Sequence, residues 1–258
     1  MNVKQCIVKS SIAPLYSNPT FKSELVSQAL IWEDLTILDK KSNWYKVRQW
    51  DSYISWVHNS YISNLHSRDI YKKKWYYLTK TISKKNLLLS FGSTLPLIKN
   101  ITSDIYQVLL PDLRKININK KYLINCNNNL ENKDIVKYAI GLTGIPYLWG
   151  GKSSLGYDCS GFVQSIIRLK GVVFPRDCVD QINSSLIKIN DNKPNMGDLI
   201  YFKENDIVNH VGMFIDKNTF IHSSGEVKIN SIYKKNKYYC DKLSKLDYNI
   251  YRFNENNI

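Results

Sequence analysis

The stretch Gly156-Tyr-Asp-Cys-Ser-Gly-Phe162 predicts a helix whose first turn carries a thiol, and the C-terminal half of the chain is organised around it. Asp158 is a favoured residue type before a helix, and apolar side chains follow at the spacing of one helical face. The helix is expected to end at Gly171. Unpaired N–H groups and the helix dipole favour thiolate at this position. Cys159 is therefore the candidate nucleophile, and an inert buried cysteine is the alternative.

Two histidines lie on a predicted β-hairpin over residues 210–222. With a three-residue loop in which Asn218 is left-handed, the register places His222 opposite Gly212. Residues two apart on a strand share a face, so His210 projects to the same side as His222. A single histidine on a strand is more often structural, but two on one face favour a functional pair.

A nucleophilic cysteine needs a base within hydrogen-bond reach, and that base needs a third group to fix its tautomer. His210 is the predicted base and His222 the predicted orienting residue. A protonated His210 beside Cys159 would lower the pKa of the thiol. Zinc binding is the alternative, but no fourth ligand or metal-motif spacing accompanies these residues, so we predict neither a metal nor another cofactor.

The composition is that of a globular protein with a basic excess. Of 258 residues, 43% are hydrophobic and 22% charged, and the formal net charge is +14. Such a charge could attract nucleic acid, anionic wall polymers or acidic small molecules. The lysines are scattered and no nucleic-acid-binding motif accompanies them, so we expect no nucleic-acid partner.

The five cysteines are widely spaced and form no Cys-x-x-Cys pair, which argues against a disulfide framework. No apolar run reaches the roughly 18 residues that span a bilayer, and the N-terminus lacks the apolar segment of a signal peptide. We therefore expect no membrane association and, if the given start is the native one, a cytoplasmic protein.

Three domains are predicted. Residues 1–66 alternate short apolar runs with turn signals, which is typical of a small β-barrel. Residues 67–128 repeat this pattern more faintly and end in an asparagine-rich linker, which indicates a second barrel. Residues 129–258 open with a helix over Asn132 to Gly144 and continue with further helices and strands, which is α+β order.

Five motifs together resemble the NlpC-type papain-like cysteine peptidases of bacteria. They are Tyr147-Leu-Trp-Gly-Gly151, Asp158-Cys-Ser-Gly-Phe162, Gly197-Asp-Leu199, His210-Val-Gly-Met213 and Ile221-His-Ser-Ser-Gly225. Residues 1–66 resemble a bacterial SH3-like domain. The resemblance implies an α+β papain-like peptidase domain preceded by two small all-β SH3-like barrels. It further implies hydrolysis of the γ-D-glutamyl to diamino-acid bond of peptidoglycan peptides, catalysed by Cys159, His210 and His222.

The resemblance also implies contacts to the substrate. Tyr147 would help the Cys159 N–H to stabilise the oxyanion. Asp158 would bind the α-ammonium of a free N-terminal L-Ala, unless it serves only as a helix cap. The full set of predicted substrate-binding residues is Asp158, Ser160, Tyr53, Glu24 and Cys178. Tyr53 could instead be ordinary barrel core. The subgroup of this family that carries SH3-like domains usually has Arg-x-Ser after the nucleophile helix. This chain has Arg176-Asp-Cys178 there, so Cys178 stands where that subgroup usually has serine.

The predicted protein is thus a cytoplasmic endopeptidase that releases L-Ala-γ-D-Glu from a diamino acid during recycling of murein peptides. One alternative is a secreted hydrolase of intact peptidoglycan, and another is a papain-like amidase or acyltransferase. A third is a non-catalytic wall-binding module with a relic site. The presence of all three catalytic residue types argues against the module.

Overall fold

The structure is a computed structural model of the chain and describes residues 4–64, 68–84, 86–189 and 193–253. The chain divides into two compact units, Met1–Asn128 and Asn129–Ile258. The predicted boundary between the two barrels, at residues 66 and 67, lies outside the described residues. Within the described ranges, no helix combines the length and the apolar character that crossing a membrane requires.

The N-terminal unit is all-β with several sheets and short 3₁₀ turns, as the sequence predicts. Its strands are β1 (Gln5–Val8), β2 (Ile12–Tyr16), β3 (Leu25–Leu30), β4 (Asp34–Lys41), β5 (Trp44–Arg48), β6 (Ile54–His58), β7 (Ile62–Ser63), β8 (Trp75–Leu78), β9 (Ile82–Lys84), β10 (Leu87–Leu89), β11 (Thr94–Asn100), β12 (Ile105–Leu109), β13 (Lys115–Asn119) and β14 (Leu123–Asn125). The 3₁₀ turns are Asn59–Tyr61, Arg68–Lys72 and Lys120–Tyr122. One sheet has the order β3-β2-β6-β5-β4-β1-β7, a second β13-β12-β11-β8-β14, and β9 pairs with β10.

Alternating burial explains why these short segments form strands. In β2, Ala13 and Leu15 are fully buried while their neighbours are partly exposed. In β12, Tyr106 and Val108 are buried in the same alternating way. Since successive side chains of a strand point to opposite faces, each sheet has one apolar face, and these faces enclose the two cores of the unit.

Trp32 connects the two SH3-like parts of the N-terminal unit. Its φ of 70° is unusual for a bulky residue and is supported by a bond from its N–H to the Val8 carbonyl, 2.9 Å. The indole Nε1 donates to the Leu109 carbonyl at 2.9 Å, and the indole packs edge-on against Trp75. Trp32 thereby belongs to the hydrophobic cluster of the second part, to which Ile7 and Ile31 also contribute.

The C-terminal unit is α+β. Its elements are α1 (Asn132–Ile140), β15 (Lys152–Ser153), β16 (Gly156–Tyr157), α2 (Cys159–Arg168), α3 (Cys178–Ile182), β17 (Leu186–Ile189), β18 (Leu199–Glu204), β19 (Ile207–Phe214), β20 (Phe220–Ser224), β21 (Glu226–Asn230), α4 (Asp241–Ser244) and β22 (Asp247–Phe253). The main sheet is antiparallel, in the order β17-β22-β18-β19-β20-β21. Helix α2 packs on β19 and β20, which brings the start of this helix to the predicted histidine strands.

Helix α2 begins and ends as the sequence predicts. The Asp158 carboxylate accepts a bond from the Gly161 N–H at 2.7 Å, which satisfies one free donor of the first turn. The helix ends at Arg168, and Gly171 follows with a φ of +77°. A Cβ at Gly161 would lie 2.3 Å from the Gly151 carbonyl, so the glycine loop and the helix backbone are in direct contact.

Two local predictions are wrong. Helix α1 ends at Ile140 rather than at Gly144, because Gly141 is a poor helix former and caps the helix, and turns lead on to Gly144.

The second error is the turn of the hairpin, where Asn218 does not have the left-handed conformation. The Asp216 carboxylate accepts from the Asn218 and Thr219 N–H groups at 2.7 and 2.9 Å, and this side-chain turn replaces a left-handed residue. The register is nevertheless the predicted one, with His222 opposite Gly212.

Candidate active site

Cys159 is the first residue of α2, and only 8% of it is exposed. Its Sγ lies 3.9 Å from the Asn209 carbonyl and 4.0 Å from the Sγ of Cys178. The backbone N–H groups of a first helical turn have no partner within the helix. The sulfur therefore lies between an open helix N-terminus and the strand that carries His210.

The two predicted histidines lie on the same face of the sheet and touch. His210 Nε2 and His222 Nδ1 are 2.6 Å apart, and His222 is 1% exposed. Gly212 makes the room, since a Cβ there would lie 3.2 Å from the His222 Cβ and 2.8 Å from a ring carbon of Phe220. The predicted convergence of the two imidazoles is confirmed.

The electrostatics of the thiol favour a nucleophile. The Cys178 thiol donates a hydrogen bond that lowers the pKa of Cys159 well below its ordinary value, and a hydrogen bond and charge from His210 lower it further against the effect of burial. The pKa of Cys178 is raised, because its proton is held in that bond and because it is buried. These effects favour the thiolate form of Cys159 and the protonated form of Cys178.

His222 is neutral in this environment. Burial and the neighbouring His210 lower its pKa to about 3, and Lys228 on the paired strand acts in the same direction. Its second ring nitrogen, Nε2, lies 2.9 Å from the Oδ1 of Asn230. A neutral ring between two hydrogen-bond partners suits an orienting residue better than a proton donor.

Burial and the charge of the Cys159 thiolate both affect the pKa of Tyr147. Burial raises the pKa of Tyr147 to about 12, and the negative charges of Cys159 and Asp158 act in the same direction. The backbone N–H of Tyr147 is anchored to the Gly225 carbonyl at 2.8 Å. The hydroxyl therefore keeps its proton and can donate, which supports the predicted oxyanion role; that role stays a prediction.

Asp158 is held by a dense set of hydrogen bonds. Its carboxylate accepts from the N–H groups of Gly150 and Gly161, from the Ser160 hydroxyl and from both terminal nitrogens of Arg176. The Arg176 side chain is 1% exposed, so this is a buried ion pair. The predicted helix cap is confirmed. Binding of a substrate ammonium stays a prediction, and such an ammonium would share oxygens that are already occupied.

The predicted residues of the C-terminal unit come together around the sulfur: Cys159, His210, His222, Tyr147, Asp158, Ser160 and Cys178. Tyr53 and Glu24 belong to the N-terminal unit, and their part in substrate binding stays a prediction. In the described part of the chain, no group of three or more His, Cys, Asp or Glu side chains is arranged to hold a metal ion.

Sequence reasoning missed two residues that build this site. Gln181 on α3 donates to the carbonyls of Ser160 and Pro175 at 3.2 and 2.9 Å, and it carried no local signal. Asn230 on β21 could have been found, because Gly225 separates two short apolar segments as a turn residue does. Counting outward from Gly225 places Asn230 on the same face as His222.

Comparison with known families gives two matches. The NlpC/P60 family matches residues 144–245, and the bacterial dipeptidyl-peptidase SH3 domain matches residues 15–62. The chain therefore carries an NlpC/P60 domain behind a bacterial SH3 domain, as its motifs predict.

Three curated relatives are similar in sequence. The gamma-D-glutamyl-L-lysine dipeptidyl-peptidase of Bacillus cereus is 29% identical over 230 residues, covering 79% of this chain and 68% of the relative. The Bacillus subtilis protein of the same name is 37% identical over 95 residues, covering 35% of this chain and 31% of the relative. Dipeptidyl-peptidase 6 of Lysinibacillus sphaericus is 30% identical over 115 residues, covering 43% and 41%. The alignments thus span less than half of the second and third relatives.

Two solved structures share the fold. An NlpC/P60 family protein from Bacillus cereus superposes with a TM-score of 0.82 at 23% identity, covering 97% of this chain and 99% of that one. An NlpC/P60 endopeptidase from Photobacterium damselae subsp. piscicida gives a TM-score of 0.71 at 16% identity, with coverages of 96% and 72%. The papain-like fold with an all-β N-terminal region is confirmed. The geometry of the site and the NlpC/P60 match over residues 144–245 together support a cysteine peptidase.

Proposed function

We propose that this protein hydrolyses the bond between γ-D-glutamate and a diamino acid in murein peptides that have a free N-terminal L-Ala. The observation that carries the proposal is the thiolate of Cys159 at a helix N-terminus, beside a His210 ring that is hydrogen-bonded to His222 at 2.6 Å. The names of the Bacillus relatives support the choice of bond. We also propose that the protein works in the cytoplasm, on peptides released from the wall and taken up for recycling.

The geometry supports an acyl-transfer mechanism. The Cys159 thiolate attacks the γ-carbonyl carbon, and the Cys159 N–H and the Tyr147 hydroxyl stabilise the oxyanion. Protonated His210 gives its proton to the leaving amine of the diamino acid, which leaves an acyl-enzyme. His210 then takes a proton from water, the hydroxide attacks the thioester, and L-Ala-γ-D-Glu is released. His222 remains neutral and keeps the His210 ring in place.

The charge of the protein fits such a substrate. The diaminopimelate tripeptide carries three carboxylates and two ammonium groups, so it is a net anion that the formal net charge of +14 attracts. Its L-lysine counterpart carries two groups of each sign. Asp158, with Ser160, Tyr53 and Glu24, supplies the proposed contacts to the α-ammonium of the N-terminal L-Ala. The free-amine requirement is thus a separate part of the proposal from the reaction itself.

The test is incubation with L-Ala-γ-D-Glu-meso-diaminopimelate, with its L-lysine counterpart and with the N-acetylated form of each, followed by mass spectrometry. We expect L-Ala-γ-D-Glu from the free peptides only. Cys159→Ala removes the nucleophile and should abolish turnover while the protein stays folded. Cys240→Ala is the matched control, since Cys240 is half-buried and lies on another part of the unit, and it should keep full activity.

Each other outcome overturns a named part of the proposal. Equal cleavage of acetylated peptides would remove the free-amine requirement and leave the peptidase. Release of peptides from intact sacculi, or recovery of the protein outside the cytoplasm on cell fractionation, would favour the wall hydrolase. Products other than a dipeptide would indicate an amidase or acyltransferase. No turnover by the wild type would indicate a binding module.

A further inference from the structure

A chain of hydrogen bonds leads from the nucleophile to a residue outside the catalytic set. His210 Nε2 contacts His222 Nδ1 at 2.6 Å, and His222 Nε2 contacts Asn230 Oδ1 at 2.9 Å. Asn230 is the last residue of β21, which pairs with the His222 strand. Along this chain, the Asn230 amide is therefore one hydrogen bond further from the sulfur than His222, the predicted orienting residue.

The orientation of the Asn230 amide is determined by its other partner. Asn230 Nδ2 lies 3.2 Å from the backbone carbonyl of Tyr238, which can only accept a hydrogen bond. This carbonyl also accepts from the Ser231 N–H at 2.9 Å, so both of its lone pairs are used. Because the NH₂ group must face the carbonyl, the Asn230 oxygen must face His222.

The tautomers of both histidines follow from this orientation. A carbonyl oxygen of an amide accepts, so His222 Nε2 carries the proton and donates it to Asn230. A neutral imidazole has one proton, and therefore His222 Nδ1 accepts from the Nε2–H of His210. The remaining nitrogen of His210, Nδ1, is the one left to exchange a proton with Cys159.

We propose that Asn230 is a positioning residue that fixes the tautomer and the ring orientation of His222 and, through His222, presents Nδ1 of His210 to the thiol. The inference rests on the proposed function, since it deepens the same site. Other groups that face His222 are Lys228, directly opposite on β21, and the Phe220 ring, 5.2 Å away between centroids. Neither offers an acceptor for the Nε2–H, so among the described residues around His222 it is the Asn230 amide that selects between the two tautomers.

The first test needs no substrate, and it uses a variant only to assign the signals. In protein labelled with ¹⁵N at histidine, the chain has four imidazoles, and long-range ¹⁵N–¹H spectra distinguish a ring protonated at Nε2 from one protonated at Nδ1. We expect His222, assigned by its loss in His222→Gln, to be the Nε2–H tautomer at neutral pH. An Nδ1–H tautomer would overturn the inference whatever the enzyme hydrolyses.

The second test uses kinetics on the free tripeptide. Asn230→Leu keeps the size of the side chain and removes both hydrogen bonds. We expect kcat to fall about 10- to 100-fold with KM unchanged, which is the range found when residues that orient a metal-binding histidine are replaced. Asn218→Leu, at the exposed tip of the β19–β20 hairpin, is the matched control and should keep wild-type kinetics. Asn230→Ala repeats the test without added apolar bulk.

A double replacement separates positioning from a general structural effect. If Asn230 acts only through His222, then Asn230→Leu should cost nothing further in a His222→Gln background. An undiminished loss of kcat in that background would overturn the inference, as would full activity of Asn230→Leu and Asn230→Ala. Since the spectra report the tautomer without turnover, failure of this inference is distinguishable from failure of the proposed peptidase activity.

Discussion

The sulfur of Cys178 is the neighbour that distinguishes this nucleophile. It lies 4.0 Å from the Cys159 sulfur, and both residues are the first of their helices. Where the subgroup usually has a serine hydroxyl, this chain has a thiol that holds its proton. The residue therefore contacts the reacting atom itself, while its predicted contact to substrate remains to be tested.

This contact predicts a shift in the pH dependence of activity. The bond from Cys178 lowers the pKa of Cys159, so Cys178→Ala should raise that pKa and move the acidic limb of kcat/KM to higher pH. A hydrogen bond to a charged group contributes about 1.5–3 kcal/mol and one pKa unit is about 1.4 kcal/mol, so the shift should be about 1–2 pH units. Cys178→Ser keeps a donor and should keep the limb near its wild-type position. Identical limbs in all three proteins would contradict the prediction.

At the scale of single residues, the sequence was informative wherever a pattern was local. The Asp158 cap and the thiol after it lie within one turn, and the hairpin histidines could be located by counting from one loop. Arg176 was known only as part of a motif, since its pairing with Asp158 joins two segments across the unit. Asn230 required a second strand register, which is why it was missed.

At the scale of elements, the hairpin of β19 and β20 depends on the absence of a side chain at Gly212. A Cβ at this position would lie 2.8 Å from the Phe220 ring and 3.2 Å from the His222 Cβ. The Phe220 ring is fully buried and cannot move freely. An added Cβ therefore requires a shift of the Phe220 ring, of His222 or of the backbone between them.

Gly212→Ala is expected to lower both stability and kcat. The forced repacking should cost about 1–3 kcal/mol in the free energy of unfolding, measured by urea denaturation. Displacement of His222 should lower kcat more than it raises KM. Gly141→Ala is the control, because Gly141 has a helical φ of −64° and its new Cβ would come no closer than 3.3 Å to another atom. A Gly212→Ala protein with wild-type kinetics would show that the His222 position tolerates movement.

Secondary-structure elements, like single residues, are predictable from the sequence only where the pattern that defines them is local. Short strands such as β3, β5 and β6 are predictable because apolar runs and turn residues alternate locally over residues 1–66. Strand β22 is not, although it lies inside the main sheet between β17 and β18. Its partners are far away in the sequence, and no local pattern states which strands a C-terminal segment will join.

At the scale of the whole molecule, the two parts of the N-terminal unit share a hydrophobic cluster, to which Ile7, Ile31 and Trp32 of the first part contribute. The sequence could not show this. The pattern of residues 67–128 predicts an independent small barrel, but its hydrophobic cluster includes Trp32 from the first 66 residues. A tryptophan in a turn gives no indication of which neighbour it will pack against. The all-β character was predictable and the shared core was not.

Trp32→Ala should destabilise this unit strongly. Loss of a large buried aromatic side chain typically costs about 3–5 kcal/mol in the free energy of unfolding. Trp32→Phe keeps much of the buried area but loses the bond to the Leu109 carbonyl, so its loss should be smaller. Leu38→Ala, at a side chain that is 43% exposed, is the control and should be nearly neutral. Far-UV circular dichroism during urea unfolding measures all three, and equal midpoints for Trp32→Ala and Leu38→Ala would contradict the shared core.

The paired sulfurs also bear on how this protein survives oxidants. A hydroperoxide would transfer one oxygen to the Cys159 thiolate, giving a sulfenic acid and an alcohol. The Cys178 thiol could then condense with the sulfenic acid, releasing water and forming a disulfide once the sulfurs, now 4.0 Å apart, approach by about 2 Å. Two equivalents of a small thiol would reopen that bond. Disulfide formation would in this way protect the catalytic sulfur, because a cysteine without a neighbouring thiol can be oxidised further to the irreversible sulfinic and sulfonic acids.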